Sequence, residues 1–247
     1  MAGQAPVVLA VSGSDPSTGA GLQADMRSLE AMGLSAATVV TAITVQAGGP
    51  VTEVKALAST LVARQMEAVL AAMPVAVVKC GLLPNPAMVR TVARVLQPLA
   101  LPLVVDPVLE ASGGGRLASA GVAPALARHL FPMTTVVTAN LDEAAVLAGI
   151  KVGDEKAQAE AARRIAGLGA GAVVVKGGHL AGEPTDLLWD GTRMRYFRGP
   201  RLGRGSMHGS GCAFASALAG GLALGHSLEE SVAGARRHVR AMIVAWL

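Results

Sequence analysis

The chain has 247 residues, of which 52% are hydrophobic, 15% charged and 2% aromatic, and its formal net charge is +4. This composition supplies enough apolar surface for a large buried core and argues against intrinsic disorder. With so few aromatic side chains it also argues against a protein that stacks single-stranded nucleic acid. The basic residues are scattered, and we interpret even the densest pairs, Arg163-Arg164 and Arg236-Arg237, as ordinary surface, with some attraction for anionic ligands as the alternative.

The first half of the chain predicts an alternation of strands and helices. Apolar runs rich in Val, Ile and Thr predict strands, and apolar residues that recur every three or four positions predict helices. By these criteria, strands are predicted at 6–11, 36–45, 75–78 and 101–105, and helices at 22–32, 56–72 and 86–96. Gly33 is suited to the C-cap of the first helix, and Pro86 to the first residue of the third.

The second half continues this alternation and ends in helices. Strands are predicted at 134–138 and 172–175, and helices at 118–130, 141–147, 154–168, 211–224 and 228–247. Asp190-Gly191 separates the runs 186–189 and 193–197, which is the signal of a β-hairpin. The whole pattern predicts an α/β fold of three layers, with a mostly parallel, doubly wound sheet and an antiparallel edge. Since no repeat or linker divides the chain, residues 1–247 are expected to form a single domain.

Two cysteines are too few for a disulfide framework or a cysteine-only zinc site. The N-terminus carries no basic side chain before its apolar run and does not resemble a secretory signal. Two stretches of roughly twenty residues, 31–52 and 205–228, lack charges, but polar residues and glycines interrupt both. We therefore interpret them as buried core elements and expect a soluble, cytoplasmic protein that binds neither membrane nor nucleic acid.

Polar side chains follow the apolar strand runs. In a doubly wound sheet, ligands bind beyond the carboxyl ends of the strands. The residues expected to gather at that edge are Asp15, Gln46, Lys79, Asp106, Asn140 and Lys176.

The segment Met207-His208-Gly209-Ser210-Gly211-Cys212 precedes a run of small, uncharged residues. A loop of small residues that opens a helix presents unpaired N–H groups and the positive end of the helix dipole, which together favour an anion. The same field is expected to stabilise a thiolate at Cys212. This segment thus predicts a phosphate site with an ionisable group beside it.

Other nucleotide and hydrolase motifs are missing from the sequence. No G-x-x-x-x-G-K-[ST] loop, G-x-S-x-G elbow or H-E-x-x-H pair occurs. The run 19–24 fits a loose dinucleotide pattern, but no acidic residue stands about 20 positions further on to hold a ribose. The helix that opens near residue 211 therefore remains the main candidate phosphate site.

Seven motifs in order resemble the hydroxymethylpyrimidine/phosphomethylpyrimidine kinases of thiamine biosynthesis, in the ribokinase-like superfamily. They are VSGSDPSTGAGLQAD at 11–25, TAITVQ at 41–46, KCGLL at 79–83, DPV at 106–108, NLDEA at 140–144, KGGH at 176–179 and HGSGC at 208–212. Each motif alone has little specificity, whereas the ordered set spans nearly the whole chain.

The resemblance implies a ribokinase-like fold and ATP-dependent phosphorylation of 4-amino-5-hydroxymethyl-2-methylpyrimidine. The same site would then phosphorylate the monophosphate to the diphosphate. Mg²⁺ and a homodimer are also implied. Two alternatives remain open, a pyridoxal or pyridoxine kinase and a non-catalytic pyrimidine-binding sensor, although Gln46 and the loop at 13–16 favour the pyrimidine.

The resemblance places Cys212 beside the substrate hydroxyl, where related sugar kinases carry Asp. A thiol whose pKa is lowered at a helix N-terminus could act as the base, but it could also shape the pocket or be a buried structural cysteine. Backbone N–H groups of Gly209, Ser210, Gly211 and Cys212 would stabilise the transferring phosphoryl group.

Four residues are expected at the pyrimidine ring. Asp25 and Gln46 carry groups that pair with a ring nitrogen and an exocyclic amine, Gly13 permits close approach, and Leu82 packs on the ring face. Each of these residues also has a purely structural alternative. Asp25 would be a charge in the first turn of a helix, Gln46 a loop residue, Gly13 a glycine in a turn, and Leu82 a leucine of the core.

The remaining candidates concern the nucleotide and its metal. Lys176 would meet the nucleotide phosphates, Asn140 would lie beside them, and His208 would order the loop by a hydrogen bond. Asp106 and Glu143 offer the oxygen ligands that Mg²⁺ prefers. The chain departs from the family pattern at Met207, Ser210, Ala213 and Ala139.

Overall fold

The computed structural model describes residues 6–47, 50–111, 114–203 and 207–246. The strands are β1 (Val7–Ser14), β2 (Ser35–Val45), β3 (Glu53–Ala56), β4 (Val75–Cys80), β5 (Leu103–Val105), β6 (Val136–Ala139), β7 (Ala172–Val175), β8 (Thr185–Trp189) and β9 (Met194–Arg198). The helices are α1 (Gly21–Glu30), α2 (Ser59–Ala72), α3 (Pro86–Leu96), α4 (Val122–Ala125), α5 (Leu141–Ala148), α6 (Glu155–Ala166), α7 (Ser210–Ala223) and α8 (Leu228–Trp246). None of these helices is long and apolar enough to cross a membrane.

All nine strands form one sheet in the order β3-β2-β1-β4-β5-β6-β7-β8-β9. Neighbours from β2 to β7 run parallel, whereas β3, β8 and β9 pair antiparallel. The order reverses beside β1, and the carboxyl ends of β1, β5, β6 and β7 meet at one edge. Parallel sheets place their ligands at such an edge.

Helices cover both faces of the sheet because successive strand side chains alternate between two apolar clusters. Leu9 and Val11 of β1 belong to the cluster that α2, α3, α5 and α6 cover, whereas Val8 belongs to the cluster that α1, α7 and α8 cover. Small side chains let α7 approach the sheet closely, and most of its residues are buried. These are the three layers that the sequence predicts.

The predicted fold class is confirmed, but one strand was missed, and some predicted elements begin later than expected. The helix predicted at 56–72 begins at Ser59, because Ala56 belongs to β3. Strand β3 was missed because its residues alternate between half-buried and exposed and form no apolar run. The helix predicted at 118–130 begins only at Val122. It continues as a π-helical turn at Leu126–Leu130 and ends in a 3₁₀-helical turn at Phe131–Met133. The strand predicted at 101–105 begins at Leu103, after Pro102. Residue 247 of the last predicted helix lies outside the described residues.

Candidate active site

A cavity of about 550 Å³ lies at the carboxyl edge of the parallel strands and against the N-terminus of α7. Of the expected site residues, all except Asp25 and Lys79 line it. These are Gly13, Asp15, Gln46, Leu82, Asp106, Asn140, Glu143, Lys176, His208, Gly209, Ser210, Gly211 and Cys212. Residues from seven segments, far apart in sequence, therefore meet at one place.

The N-terminus of α7 forms the candidate anion hole. Gly209 precedes the helix with φ +78°, and a Cβ there would overlap the Gly19 carbonyl oxygen, so the two loops touch backbone to backbone. A Cβ on Gly211 would lie 3.2 Å from Lys176 Nζ. Because Lys176 lies so close to the first turn, an anion bound there would meet both the N–H groups and an ammonium.

Asp15 ties the loop after β1 to the loop before α7. Its Oδ1 accepts from Ser17 N at 2.9 Å, and its Oδ2 accepts from Ala20 N at 2.8 Å and meets His208 Nε2 at 2.9 Å. Burial raises the pKa of Asp15, but these hydrogen bonds outweigh it and hold the pKa below its usual value. His208 thus forms a hydrogen bond between the two loops, of the kind that the sequence predicts.

Lys176 and Asp106 form an ion pair on the cavity wall. Lys176 Nζ lies 3.0 Å from Asp106 Oδ1, which also accepts from Thr138 Oγ1 at 3.1 Å. Burial alone would lower the pKa of Lys176, but the carboxylates of Asp106 and Glu143 raise it above its ordinary value. The lysine therefore carries a positive charge at neutral pH.

Asn140 and Glu143 cap α5 reciprocally. Asn140 Oδ1 accepts from Glu143 N, and Glu143 Oε2 accepts from Asn140 N, both at 2.8 Å. Asn140 is therefore the N-cap of α5, in a reciprocal capping box with Glu143. Burial raises the pKa of Glu143 to about 8, and the nearby Asp106 adds to the increase.

The carboxylates of Asp106 and Glu143 suit a magnesium ion held partly by a nucleotide. The described residues contain no group of three or more His, Cys, Asp or Glu placed to hold a metal. Mg²⁺ beside a nucleotide commonly takes only one or two carboxylates and completes its shell with phosphate oxygens and water. The donor set of this wall fits that arrangement.

The other end of the cavity suits a flat ring. A Cβ on Gly13 would lie 2.9 Å from Leu82 Cδ2, so the missing side chain leaves room there. Thr41 Oγ1 donates to the Leu82 carbonyl at 2.6 Å, and Gln46 Nε2 donates to Thr44 Oγ1 at 3.1 Å. This end therefore pairs an apolar surface with one amide side chain.

Asp25 and Lys79 lie behind the cavity wall. Asp25 is completely buried and binds Lys79 at 2.7 Å, and neither residue lines the cavity. The geometry does not support the expected contact between Asp25 and a ring. Lys79 was expected after a strand, but β4 runs on to Cys80 and encloses it. Leu22 and Leu29 lie three and four positions from Asp25, on the same face of α1. This spacing in the sequence could have predicted that Asp25 is buried on the apolar face of the helix.

The pKa of Cys212 is shifted opposite to the expectation. Burial raises the pKa of this thiol to about 12, and the ammonium of Lys79 offsets the increase only in part. A helix terminus contributes at most about 2 kcal/mol, whereas full burial shifts a pKa by up to about 3–5 units. The expected lowering was therefore wrong for the unliganded site.

Alkylation of Cys212 by iodoacetamide is expected to be slow at pH 7 and to keep accelerating to at least pH 10. The thiolate is the reactive form, and its fraction rises tenfold per pH unit below the pKa. Mass spectrometry of the Cys212 peptide measures the rate separately from Cys80. A rate that levels off by pH 8 would contradict the raised pKa.

One face of α8 that carries two arginines borders the cavity, and the sequence did not predict it. Arg236, Val239, Arg240 and Ile243 follow one helix face and line the cavity. Arg236 Nη2 donates to the Pro184 carbonyl at 2.9 Å, and its side chain is 11% exposed. The interpretation of Arg236 as ordinary surface was therefore wrong. Its burial could not be predicted, because nothing in the local sequence distinguishes it from the exposed arginines.

The fold and this cavity are those of a ribokinase-like small-molecule kinase. The family model for phosphomethylpyrimidine kinase matches residues 15–246. The chain belongs to the phosphomethylpyrimidine kinase family.

Two relatives support this assignment over nearly the whole chain. The hydroxymethylpyrimidine/phosphomethylpyrimidine kinase of Streptomyces coelicolor is 40% identical over 240 residues, covering 97% of this chain and 89% of that protein. The thiamine biosynthesis bifunctional protein ThiED of Geobacter sulfurreducens is 41% identical over 238 residues, covering 96% of this chain. The chain spans about half of that larger protein, 49% of its length.

Two solved structures share the fold. The phosphomethylpyrimidine kinase of Clostridium difficile superposes with a TM-score of 0.85 and 31% identity, covering 96% of this chain and 99% of that one. The pyridoxal kinase of Staphylococcus aureus, solved with ADP, gives a TM-score of 0.90 and 31% identity, with coverages of 98% and 89%. The fold is thus common to kinases of two ring substrates.

Proposed function

We propose that the protein transfers the γ-phosphoryl group of ATP to 4-amino-5-hydroxymethyl-2-methylpyrimidine and then to its monophosphate. The observation that carries the proposal is the convergence of a ring pocket, a thiol and an anion hole in one cavity. Family membership and the roughly 40% identical pyrimidine kinases support the choice of substrate.

The aminopyrimidine occupies the end of the cavity formed by Gly13, Gln46 and Leu82. Leu82 packs on one face of the ring, and the missing side chain of Gly13 leaves room for Leu82 in that position. The amide of Gln46 offers both a donor and an acceptor, which matches a ring nitrogen beside an exocyclic amine. The hydroxymethyl group then points towards Cys212.

The nucleotide phosphates bind at the N-terminus of α7. N–H groups of Gly209, Ser210, Gly211 and Cys212 stabilise the charge that spreads over the phosphoryl oxygens during transfer. Lys176 adds an ammonium, and Asp106 and Glu143 would hold Mg²⁺, which would supply positive charge to neutralise the phosphates and help orient them.

Cys212 accepts the proton of the attacking hydroxyl as a thiolate. Because burial raises its pKa to about 12, the thiolate is a minor form of the unliganded enzyme at neutral pH. A base of such high pKa is strong, but only a small fraction of it is deprotonated at neutral pH. Because that fraction grows with pH, kcat/KM is expected to rise with pH.

Steady-state assays of ATP consumption test the proposal against its rival. We expect kcat/KM for the pyrimidine alcohol to exceed that for pyridoxal, which the structural similarity to pyridoxal kinases makes the natural comparison. A much larger kcat/KM for pyridoxal would overturn the substrate assignment. Tight binding of the pyrimidine without any product would instead indicate a non-catalytic sensor.

A homodimer in the cytoplasm completes the proposal. Ile43 and Val45 lie on one face of β2, are about half exposed, and come just before Gln46 in the chain. An apolar face of this kind suits contact with a second copy. Light scattering after size-exclusion chromatography measures the mass, and a monomer at micromolar concentration would contradict the dimer.

Gly13→Ala is expected to raise KM for the pyrimidine by about tenfold and leave the melting temperature nearly unchanged. The new Cβ would push the flexible end of Leu82 into the ring pocket rather than meet backbone. Such a displacement changes binding by roughly 1–2 kcal/mol, which corresponds to about tenfold. Adding Leu82→Ala should restore room, and an unchanged KM in the single variant would contradict this placement of the ring.

A further inference from the structure

A charged cluster without exposed surface lies beneath the anion hole. Lys79 Nζ donates to Asp25 Oδ1 at 2.7 Å, and Ser216 Oγ donates to the same oxygen at 2.8 Å. Both charged side chains are 0% exposed. The three residues belong to β4, α1 and α7, so the cluster joins the sheet to both helices that border the reaction point.

The charges of this cluster stabilise the fold little more than apolar side chains of similar volume would. Removing two ions from water costs several kcal/mol each, and apolar replacements of similar volume are often neutral or stabilising. Asp25 Oδ2 also has no hydrogen-bond partner among the described residues, which adds to the cost. A role for the charge itself is therefore the better explanation.

The cluster lies next to Cys212. Ser216 follows Cys212 by one turn of α7, so both side chains share a helix face. A Cβ on Gly81, which precedes the cavity residue Leu82, would lie 2.9 Å from Lys79 Nζ. The ammonium is therefore located just under the cavity floor.

Four charged side chains influence Cys212. They are Lys79 and Lys176, which favour the thiolate, and Asp25 and Asp106, which oppose it. Lys79 has the largest charge effect on the pKa of the thiol, and it exceeds that of Asp25. Lys79 thus favours negative charge on the sulfur more than Asp25 opposes it.

We propose that Lys79 is a positioning residue for phosphoryl transfer, whose buried ammonium, held by Asp25 and Ser216, favours negative charge on the sulfur of Cys212. Lys79 keeps its protons throughout and forms no bond to substrate. Asp25 and Ser216 hold the ammonium in place rather than contact the ring. The role in catalysis rests on the proposed function, whereas the effect on the thiol does not.

Alkylation of Cys212 in the unliganded protein tests the charge effect directly. Lys79→Met/Asp25→Asn removes both charges without leaving one unpaired. We expect the Cys212 peptide to react about tenfold more slowly than in the parent between pH 8 and 10, as a one-unit rise in pKa requires.

A matched control separates charge from loosened packing. Thr134 lies just before β6, at the end of the strands away from the cavity. Thr134→Val removes a buried hydrogen bond, from Thr134 Oγ1 to the Leu130 carbonyl at 2.8 Å. Its alkylation rate shows what loosening alone does, and loosening can only accelerate the reaction. A double variant that reacts as fast as the parent would overturn the proposal.

Turnover distinguishes failure of this inference from failure of the proposed function. If the parent phosphorylates the pyrimidine and the double variant retains both its kcat and its alkylation profile, Lys79 has only a structural role. If the parent shows no kinase activity but the alkylation rates shift as expected, the charge effect stands and the proposed function fails.

Discussion

Gly209→Ala is expected to lower the melting temperature by roughly 5–15 °C and kcat/KM by about 10²–10³-fold. An L-residue at φ +78° costs about 1–2 kcal/mol, and forcing atoms into packed space adds about 1–3 kcal/mol. Here the obstacle is backbone, because the Cβ would overlap the Gly19 carbonyl oxygen and lie 3.0 Å from Ala20 Cα. For a chain of this size, each kcal/mol shifts the melting temperature by roughly 2–4 °C.

The loss of activity follows from the same displacement. If the loops at 19–21 and 207–209 separate, the N–H groups at the start of α7 no longer converge on the phosphoryl group. Loss of one such donor commonly costs about 10²–10³ in rate. Thermal unfolding and steady-state kinetics measure the two effects.

Gly149→Ala is the matched control for this substitution. Gly149 also has a left-handed backbone, with φ +66°, but a Cβ there would meet nothing within 4 Å. We expect it to cost only the conformational strain of about 1–2 kcal/mol and to leave kcat/KM unchanged. Equal effects of the two substitutions would show that the close approach of the loops does not matter.

Cys212→Ala is expected to lower kcat by about 10²-fold or more and to flatten the rise of activity with pH. A positioned base contributes about 10²–10⁴. Below a pKa of about 12, the thiolate fraction grows with pH, so the parent should gain activity up to the alkaline limit of its stability. The variant lacks that dependence. Initial rates from pH 6 to 9.5 at saturating ATP measure both effects.

Cys80→Ala provides the control, since Cys80 is also buried and its pKa is raised to about 12, yet it does not line the cavity. Its activity and pH profile should match those of the parent. A Cys212→Ala enzyme within about twofold of the parent would remove the thiol from proton transfer and leave it the role of shaping the pocket.

Much of this fold and site could be predicted because the signals are local. Val-rich runs end in Asp15, Asp106, Asn140 and Lys176, and a parallel sheet brings those ends to one edge. The small residues before α7 likewise predict an anion site without reference to the rest of the chain.

The errors concern properties that only packing decides. Whether Lys79 follows β4 or lies within it depends on pairing with β1 and β5, and the sequence shows only an apolar run. The thiol of Cys212 feels both a helix terminus and burial, and the larger effect emerges only once the neighbouring elements enclose it. Arg236 resembles any exposed arginine until α8 packs beside Pro184.

One competition experiment tests the central claim most directly. The protein is incubated with ATP, Mg²⁺ and equal amounts of the pyrimidine alcohol and pyridoxal, and the phosphorylated products are identified by mass spectrometry over time. A pyrimidine kinase that catalyses both steps gives the pyrimidine monophosphate first and its diphosphate later, with little pyridoxal phosphate. Pyridoxal phosphate as the main product, or no phosphorylated pyrimidine at all, would contradict the assignment.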